Sequence, residues 1–260
     1  MIGAIIGDLA GSVYEFAQTK KVKSVKIKSI IEDNAFFSDD TILTLAVLDA
    51  IINKKDYGTT LKSYAQKYAN YMPDFTPYFK TIFSPNFTNW STQNVVGKSC
   101  GNGAMMRISP VGFLFDNVKE IKANVKLATK PSHNTKQAIK SATTVALIIY
   151  YFRHGLTKQE VVKKLKLKIT KPTLSTFNYT CKDTLPICLY ALFNSTSFEN
   201  AIKLAISFGG DTDTNACIVG GMAEALYGVD KNLKTLALKK LPKEFQTLLN
   251  KFYKQHTNQK

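Results

Sequence analysis

The sequence predicts a compact, all-α, single-domain helical bundle, and three observations predict it. Apolar residues recur three and four apart over long segments, 41–52, 137–152 and 214–226, which is the period of a helix with a buried face. Convincing two-residue alternation of the kind a half-buried strand shows is scarce. The chain has 260 residues, 45% of them hydrophobic, enough for one buried core, and no composition shift divides it into two units. One domain is therefore expected over 1–253, followed by a polar tail, 254–260, that frays.

At the N-terminus Gly3, Gly7, Gly11 and Glu15 fall four apart, close to one helical stripe, so the glycines are read as a surface for close helix packing. Glu15 ends that smooth face. The opening run, MIGAIIGDLAGSVYEF, lacks a basic start and meets Asp8 too early for a signal peptide or a membrane span. Val145 to Phe152 is shorter still, so the expectation is a soluble, cytoplasmic protein without membrane association.

The next helix, to Ile52, is apolar almost all the way round, which marks an interior helix, yet it starts with Ser38-Asp39-Asp40-Thr41. Capping explains one such residue. Two adjacent aspartates at the head of a buried helix repel each other and resist desolvation unless a cation stands between them. Residues 72–99 form the longest irregular stretch, of a length often tied to function. Gly101-Asn102-Gly103 follows, where glycines allow backbone N–H groups close to an anion and Asn102 is expected to take the unusual angles of such a turn. Gly97-Lys98-Ser99 ends like a Walker A loop, but Thr92 stands where its first glycine belongs, which argues against ATP hydrolysis.

After the helical pattern of 137–152 comes a second irregular stretch, 170–182. Gly209-Gly210-Asp211-Thr212-Asp213-Thr214 then opens a second interior helix with a second acidic knot. An EF-hand loop is excluded, because Ala216 holds its obligatory glycine position and Met222 its closing glutamate. Together the two knots offer the carboxylates of Asp39, Asp40, Asp211 and Asp213 and the hydroxyls of Ser38, Thr41 and Thr214. These hard oxygen donors suit Mg²⁺ or Mn²⁺ rather than zinc. If the fold joins the two helix starts, they can hold two ions roughly 3.5–4 Å apart.

Charge and cysteines bound the remaining classes. The formal net charge is +16, which invites a polyanion partner. Only Arg107 and Arg153 are arginines and the lysines are spread along the chain, which weighs against specific nucleic-acid binding. Cys100, Cys181, Cys188 and Cys217 show neither a zinc spacing nor a C-x-x-C pair and are read as reduced, partly buried thiols.

Four motifs carry a resemblance: G-x-x-x-G-D-x-x-G-x-x-x-E from Gly3 to Glu15, S-D-D-T from Ser38, G-N-G-A-M-M-R from Gly101 to Arg107, and G-G-D-T-D-T from Gly209. In that order they resemble the ADP-ribosylglycohydrolases, over Gly3 to about Gly228. The resemblance implies an all-α fold of that type with two divalent cations, Mg²⁺ or Mn²⁺. It implies Ser38, Asp39, Asp40, Asp211, Asp213 and Thr214 as metal ligands and Glu15 as the acid that approaches the site, while the sequence leaves open which of Glu15, Asp40 and Asp213 is the catalytic base. Ser99, Gly101, Asn102 and Gly103 match the diphosphate segment. His133 matches a histidine near the distal ribose or phosphates, although a hydrogen-bonded structural histidine is an equally good reading. Cys100 and Glu224 depart from the pattern, standing where an aromatic and a small residue are usual.

The implied activity is metal-dependent hydrolysis of the glycosidic bond between ADP-ribose and a protein side chain or small molecule, by a monomer. An ADP-ribose-binding module without turnover, a two-metal phosphohydrolase and a basic scaffold are the alternatives.

Overall fold

A computed structural model describes residues 1–19, 21–73 and 82–257. In chain order the helices are α1 (Ile2–Glu15), α2 (Asp39–Ile52), α3 (Tyr57–Lys67), α4 (Pro85–Thr92), α5 (Gly103–Met106), α6 (Ser109–Leu114) and α7 (Val118–His133). They continue as α8 (Lys136–Arg153), α9 (Lys158–Leu165), α10 (Cys181–Phe193), α11 (Phe198–Ser207), α12 (Thr212–Tyr227), α13 (Lys231–Lys239) and α14 (Lys243–Thr257). Among the described residues there is no β-strand, only two isolated antiparallel bridges, Lys98 with His133 and Gly101 with Thr180. No described helix is long and apolar enough to cross a membrane.

Local chemistry sets the helix starts. Asn117, Thr135 and Ser197 each place a side-chain oxygen on the free amide three residues ahead, and Thr157 and Glu160 form a capping box. Two segments differ from the sequence expectation. Within 72–99, Ser84 caps α4, which has Pro85 in its first turn, a position that needs no amide hydrogen; residues 74–81 lie outside the described set. The irregular segment from 170 ends earlier than expected, because Thr180 caps α10. Helix α14 also runs to Thr257, into the segment expected as a tail, whose last three residues lie outside the described set.

α12 is the central helix: α1, α11, α10, α8, α5 and α2 all pack on it. Its residues from Thr212 to Ala223 are all buried, as are those of α2 from Asp40 to Ala50. Both helices are interior, as their apolar composition predicts, and the core runs continuously between them.

The glycine stripe of α1 explains how closely α1 and α12 approach. A Cβ on Gly3 would stand 2.4 Å from the Gly220 carbonyl oxygen, one on Gly7 2.0 Å from that of Ala216, and one on Gly11 2.3 Å from that of Thr212. No side chain fits at those distances. The seam therefore fixes the end of α1 against the beginning of α12, which is where Glu15 and Asp213 sit. Gly7→Ala is expected to force the helices apart and to lower unfolding free energy in urea by at least about 1–3 kcal/mol; an unchanged transition midpoint would show that the seam can yield.

Candidate active site

Three elements deliver carboxylates to one place: α1 brings Asp8 and Glu15, the start of α2 brings Asp39 and Asp40, and the start of α12 brings Asp211 and Asp213. Two sets can each bring three carboxylate oxygens within 4.8 Å of one another, Asp8 with Asp40 and Asp213, and Glu15 with Asp211 and Asp213. The sets overlap at Asp213. The two acidic knots, 172 residues apart in the chain by Asp39 and Asp211, thus form one centre, as the sequence reading required.

Asp8, which the sequence reading passed over, has a different task from the others. Its Oδ2 accepts hydrogen bonds from the Ser38 amide at 2.9 Å, the Thr41 amide at 3.0 Å and the Thr41 hydroxyl at 2.5 Å, and its Oδ1 accepts from the Ser38 hydroxyl at 2.8 Å. Four donors reach the carboxylate, so it serves as a cap supplied by another helix as well as standing among the acidic groups of the centre. Ser38 also caps α2 from within the chain, its oxygen accepting from the Asp40 amide. These bonds settle Ser38 and Thr41 by their protons and leave the S-D-D-T turn rigid.

Asp40 shows what the centre lacks. Its Oδ2 accepts from the Thr214 hydroxyl at 3.0 Å and lies 3.2 Å from Ser38 Oγ, whose one proton goes to the nearer Asp8, whereas Oδ1 is buried and has no hydrogen-bond partner. Burial pushes Glu15 up to about 8, with the Asp211 charge adding to it, and pushes Asp39 up to about 8, with Asp8 and Asp211 adding to it. Asp40 and Asp213 are raised well above the carboxylate range by burial and then by their acidic neighbours, and burial also raises Asp211. Asp8 rises only to about 6, because the bonds from Thr41 and Ser38 offset its burial. A divalent cation is the group that an unpartnered buried oxygen and converging hard carboxylates fit, since it favours the charged forms that burial opposes.

The second knot depends on its glycines. Gly209 and Gly210 have φ of 72° and 71°, and a Cβ would meet the Lys23 carbonyl oxygen at 2.1 Å and Asn178 Oδ1 at 2.2 Å. That turn aims Asp211 back into the centre. Asn178, buried and likewise passed over in the sequence, holds it: its Oδ1 accepts from the Asp211 amide at 3.0 Å and its Nδ2 donates to Thr184 and to Asn215. Asn102 completes the arrangement, donating from Nδ2 to Asp211 Oδ2 at 2.7 Å. The expectation of an unusual backbone at Asn102 is corrected here, since its φ and ψ are −68° and −13°; its side chain, not its backbone, is the reason for asparagine.

A cleft of about 1020 Å³ opens over the centre, within the range of sites that enclose small ligands. Glu15, Asp39, Asp40, Asp211, Asp213 and Thr214 line its acidic end. Ser99, Gly101, Asn102, Gly103 and His133 line another part; Ser38, also named by the motifs, is not in the lining and meets the centre through Asp8 and the Asp40 amide. Phe83, Phe87 and Trp90 make an apolar wall, with ring centroids 5.8 and 5.2 Å apart. Phe177 and Tyr179 also face the cleft while Asn178 between them turns inward, the alternation of an extended segment.

The G-N-G loop itself differs from a simple amide cradle. The Gly101 amide donates to Ser99 Oγ at 3.0 Å and the Asn102 amide to the Tyr179 carbonyl at 2.9 Å. Neither of these two amides is turned to a ligand. Cys100 is exposed on the rim, whereas Cys181, Cys188 and Cys217 are buried, all four as thiols. Glu224, the other departure, lies away from the cleft and accepts from the Gly3 amide at 2.7 Å, which ties α12 to the start of α1.

Comparison with known proteins follows the same outline. A sequence model described as ADP-ribosylglycohydrolase matches residues 1–260. The ADP-ribosylhydrolase ARH3 of Homo sapiens is 22% identical over an alignment covering 89% of this chain and 85% of its own. The ADP-ribosylarginine hydrolase Tri1 of Pseudomonas putida is 23% identical, covering 88% and 70%. A solved structure of an ADP-ribosylglycohydrolase-related protein complex superposes with a TM-score of 0.69 at 17% identity, covering 95% of this chain and 93% of that one; it shows the shared fold.

The electrostatics give a pH dependence with a definite sign. Glu15, Asp39 and Asp8 hold protons more tightly folded than unfolded, so across the window from about pH 4 to 8 the folded chain binds more protons and its stability falls as pH rises. In chelator the melting temperature should drop between about pH 5 and 8, and added Mg²⁺ or Mn²⁺ should remove most of that drop. A melting temperature in chelator that is flat or rises over this window would contradict the assignment of these groups as a desolvated, mutually repelling set of which Asp8 is buried and Glu15 and Asp39 half-buried.

Proposed function

Because this chain belongs to the ADP-ribosylglycohydrolase family, we propose that it is a metal-dependent hydrolase that cleaves the glycosidic bond between ADP-ribose and its acceptor, releasing free ADP-ribose. The observation that carries the proposal is the overlap of two carboxylate sets at Asp213, at the end of a cleft large enough for a nucleotide sugar. In this reading Ser38, Asp39, Asp40, Asp211, Asp213 and Thr214 hold two divalent ions, Mg²⁺ or Mn²⁺. Bound there, such ions orient ribose hydroxyls and lower the pKa of a water.

The chain's own residues account for the rest. Breaking the bond at the anomeric carbon builds positive charge on the ribose, and the carboxylates of Glu15, Asp40 and Asp213 around the acidic end favour that charge. Glu15 reaches the cleft from the end of α1, which suits it to take a proton from water or to steady a ribose hydroxyl. Ser99, Gly101, Asn102, Gly103 and His133 bind the diphosphate side, and the aromatic wall offers an apolar surface to the adenine. Asn102 links the two ends, since one face of its loop lines the diphosphate region while its amide steadies Asp211.

The acceptor is the property on which the relatives divide by name, Tri1 being an ADP-ribosylarginine hydrolase. Both an arginine-linked and a serine-linked ADP-ribosyl peptide are therefore the substrates to try. Asp213→Ala should reduce release of ADP-ribose from whichever is cleaved by at least about 10³-fold, since it removes the residue shared by both carboxylate sets, with the fold retained by circular dichroism. Release of inorganic phosphate in place of ADP-ribose would move the activity to the phosphohydrolase class, and binding of ADP-ribose with no release from either peptide would make the protein a binding module.

A further inference from the structure

Among the described residues Arg107 is the largest fully buried side chain, and no carboxylate pairs with it. Burial lowers its pKa to about 10, which leaves it charged near neutrality. Its Nη2 donates to Ser132 Oγ at 2.7 Å and to the Ala128 carbonyl at 3.3 Å, and stands 3.4 Å from His133 Nδ1. Its Nε and Nη1 are buried and make no hydrogen bond in the protein. A buried cation with unpartnered donors costs more than packing alone returns, and Arg107 lines the cleft.

A guanidinium only donates. Ser132 Oγ, which accepts a hydrogen bond from Arg107, lies 2.7 Å from His133 Nδ1 and has its own proton to give. A proton on Nδ1 would point toward the Arg107 cation, whose Nη2 stands 3.4 Å from that nitrogen, whereas a bare Nδ1 faces that cation favourably and can accept from the Ser132 hydroxyl. Nδ1 is thereby an acceptor, and the ring's remaining proton belongs on Nε2. That nitrogen faces the loop, since a Cβ on Gly101 or on Gly103 would each lie 3.4 Å from it. Burial and the Arg107 charge also hold His133 well below its ordinary pKa, so the ring is neutral at physiological pH.

We infer that Arg107 is a positioning residue that fixes the tautomer of His133, so that a neutral Nε2–H is presented as a hydrogen-bond donor to an anion seated at the Gly101–Gly103 loop. The inference rests on the reading of that loop as the diphosphate region. It gives His133 the part that the Gly101 and Asn102 amides, engaged within the protein, do not play. It also excludes His133 as a proton-transfer group, because a ring that stays neutral and already carries its proton on Nε2 has none to accept there near pH 7.

The test is the ¹⁵N spectrum of the His133 ring in the free protein at pH 7, for wild type, Ser132→Ala and Arg107→Gln, with ADP-ribose affinity measured beside it. The expected spectrum shows Nε2 protonated and Nδ1 bare in wild type and in Ser132→Ala, and altered nitrogen shifts in Arg107→Gln. Protonation at Nδ1 in wild type, or a tautomer that switches when only Ser132 is removed, overturns the role of Arg107. His133→Gln, whose amide nitrogen reaches the place of Nε2, should hold ADP-ribose within a few-fold of wild type, whereas His133→Asn should weaken it by roughly tenfold or more. Equal loss in both overturns the donor role. A wild type that binds no ADP-ribose would instead sink the proposed substrate, and the ring spectrum would still report the tautomer.

Discussion

The rest of the structure depends on the gathering of buried carboxylates at the junction of α1, α2 and α12. Two like charges about 4 Å apart repel by about 4 kcal/mol at the effective dielectric near a protein surface, whereas a helix cap contributes about 1 kcal/mol. Capping therefore cannot explain Asp39 beside Asp40, or Asp211 beside Asp213. Their raised proton affinities express that imbalance, and divalent cations, as proposed, would resolve it. Around them the fold supplies what a permanent charge cluster needs: Asp8 holding the S-D-D-T turn, Asn178 and Asn102 holding Asp211, and the glycine seam holding α1 against α12.

That seam links composition to chemistry. α1 carries no large side chain toward α12 at Gly3, Gly7 and Gly11, so the two backbones touch, and carboxylate oxygens of Glu15 and Asp213 come within 4.8 Å of each other. A wider spacing would separate the two carboxylate sets. The same economy of space places Asn102 where one side chain serves the acidic centre while its loop lines the anion end of the cleft.

Much of this was legible in the sequence, for physical reasons. The interior helices showed themselves by having no polar face, and the acidic knots by putting charge at the head of such helices, a conflict that only a ligand resolves. Glycines at a four-residue spacing announced close packing. The residues that escaped notice act at long range. Asp8 caps a helix that begins thirty residues later, and nothing near it in sequence marks an α1 carboxylate as a cap. Asn178 sits in an irregular stretch without periodicity, and its partners come from α10, α12 and the Gly210 turn. Asn102 was noticed for its backbone and matters for its side chain, because the contact with Asp211 spans 109 residues.

The central claim is that Asp213 is shared between two divalent cations. Anomalous diffraction from crystals grown with Mn²⁺ tests it most directly. The account predicts two peaks flanking the Asp213 carboxylate, one toward Asp40 and one toward Glu15 and Asp211. No peak at the junction of α1, α2 and α12, or one ion held away from Asp213, would contradict it.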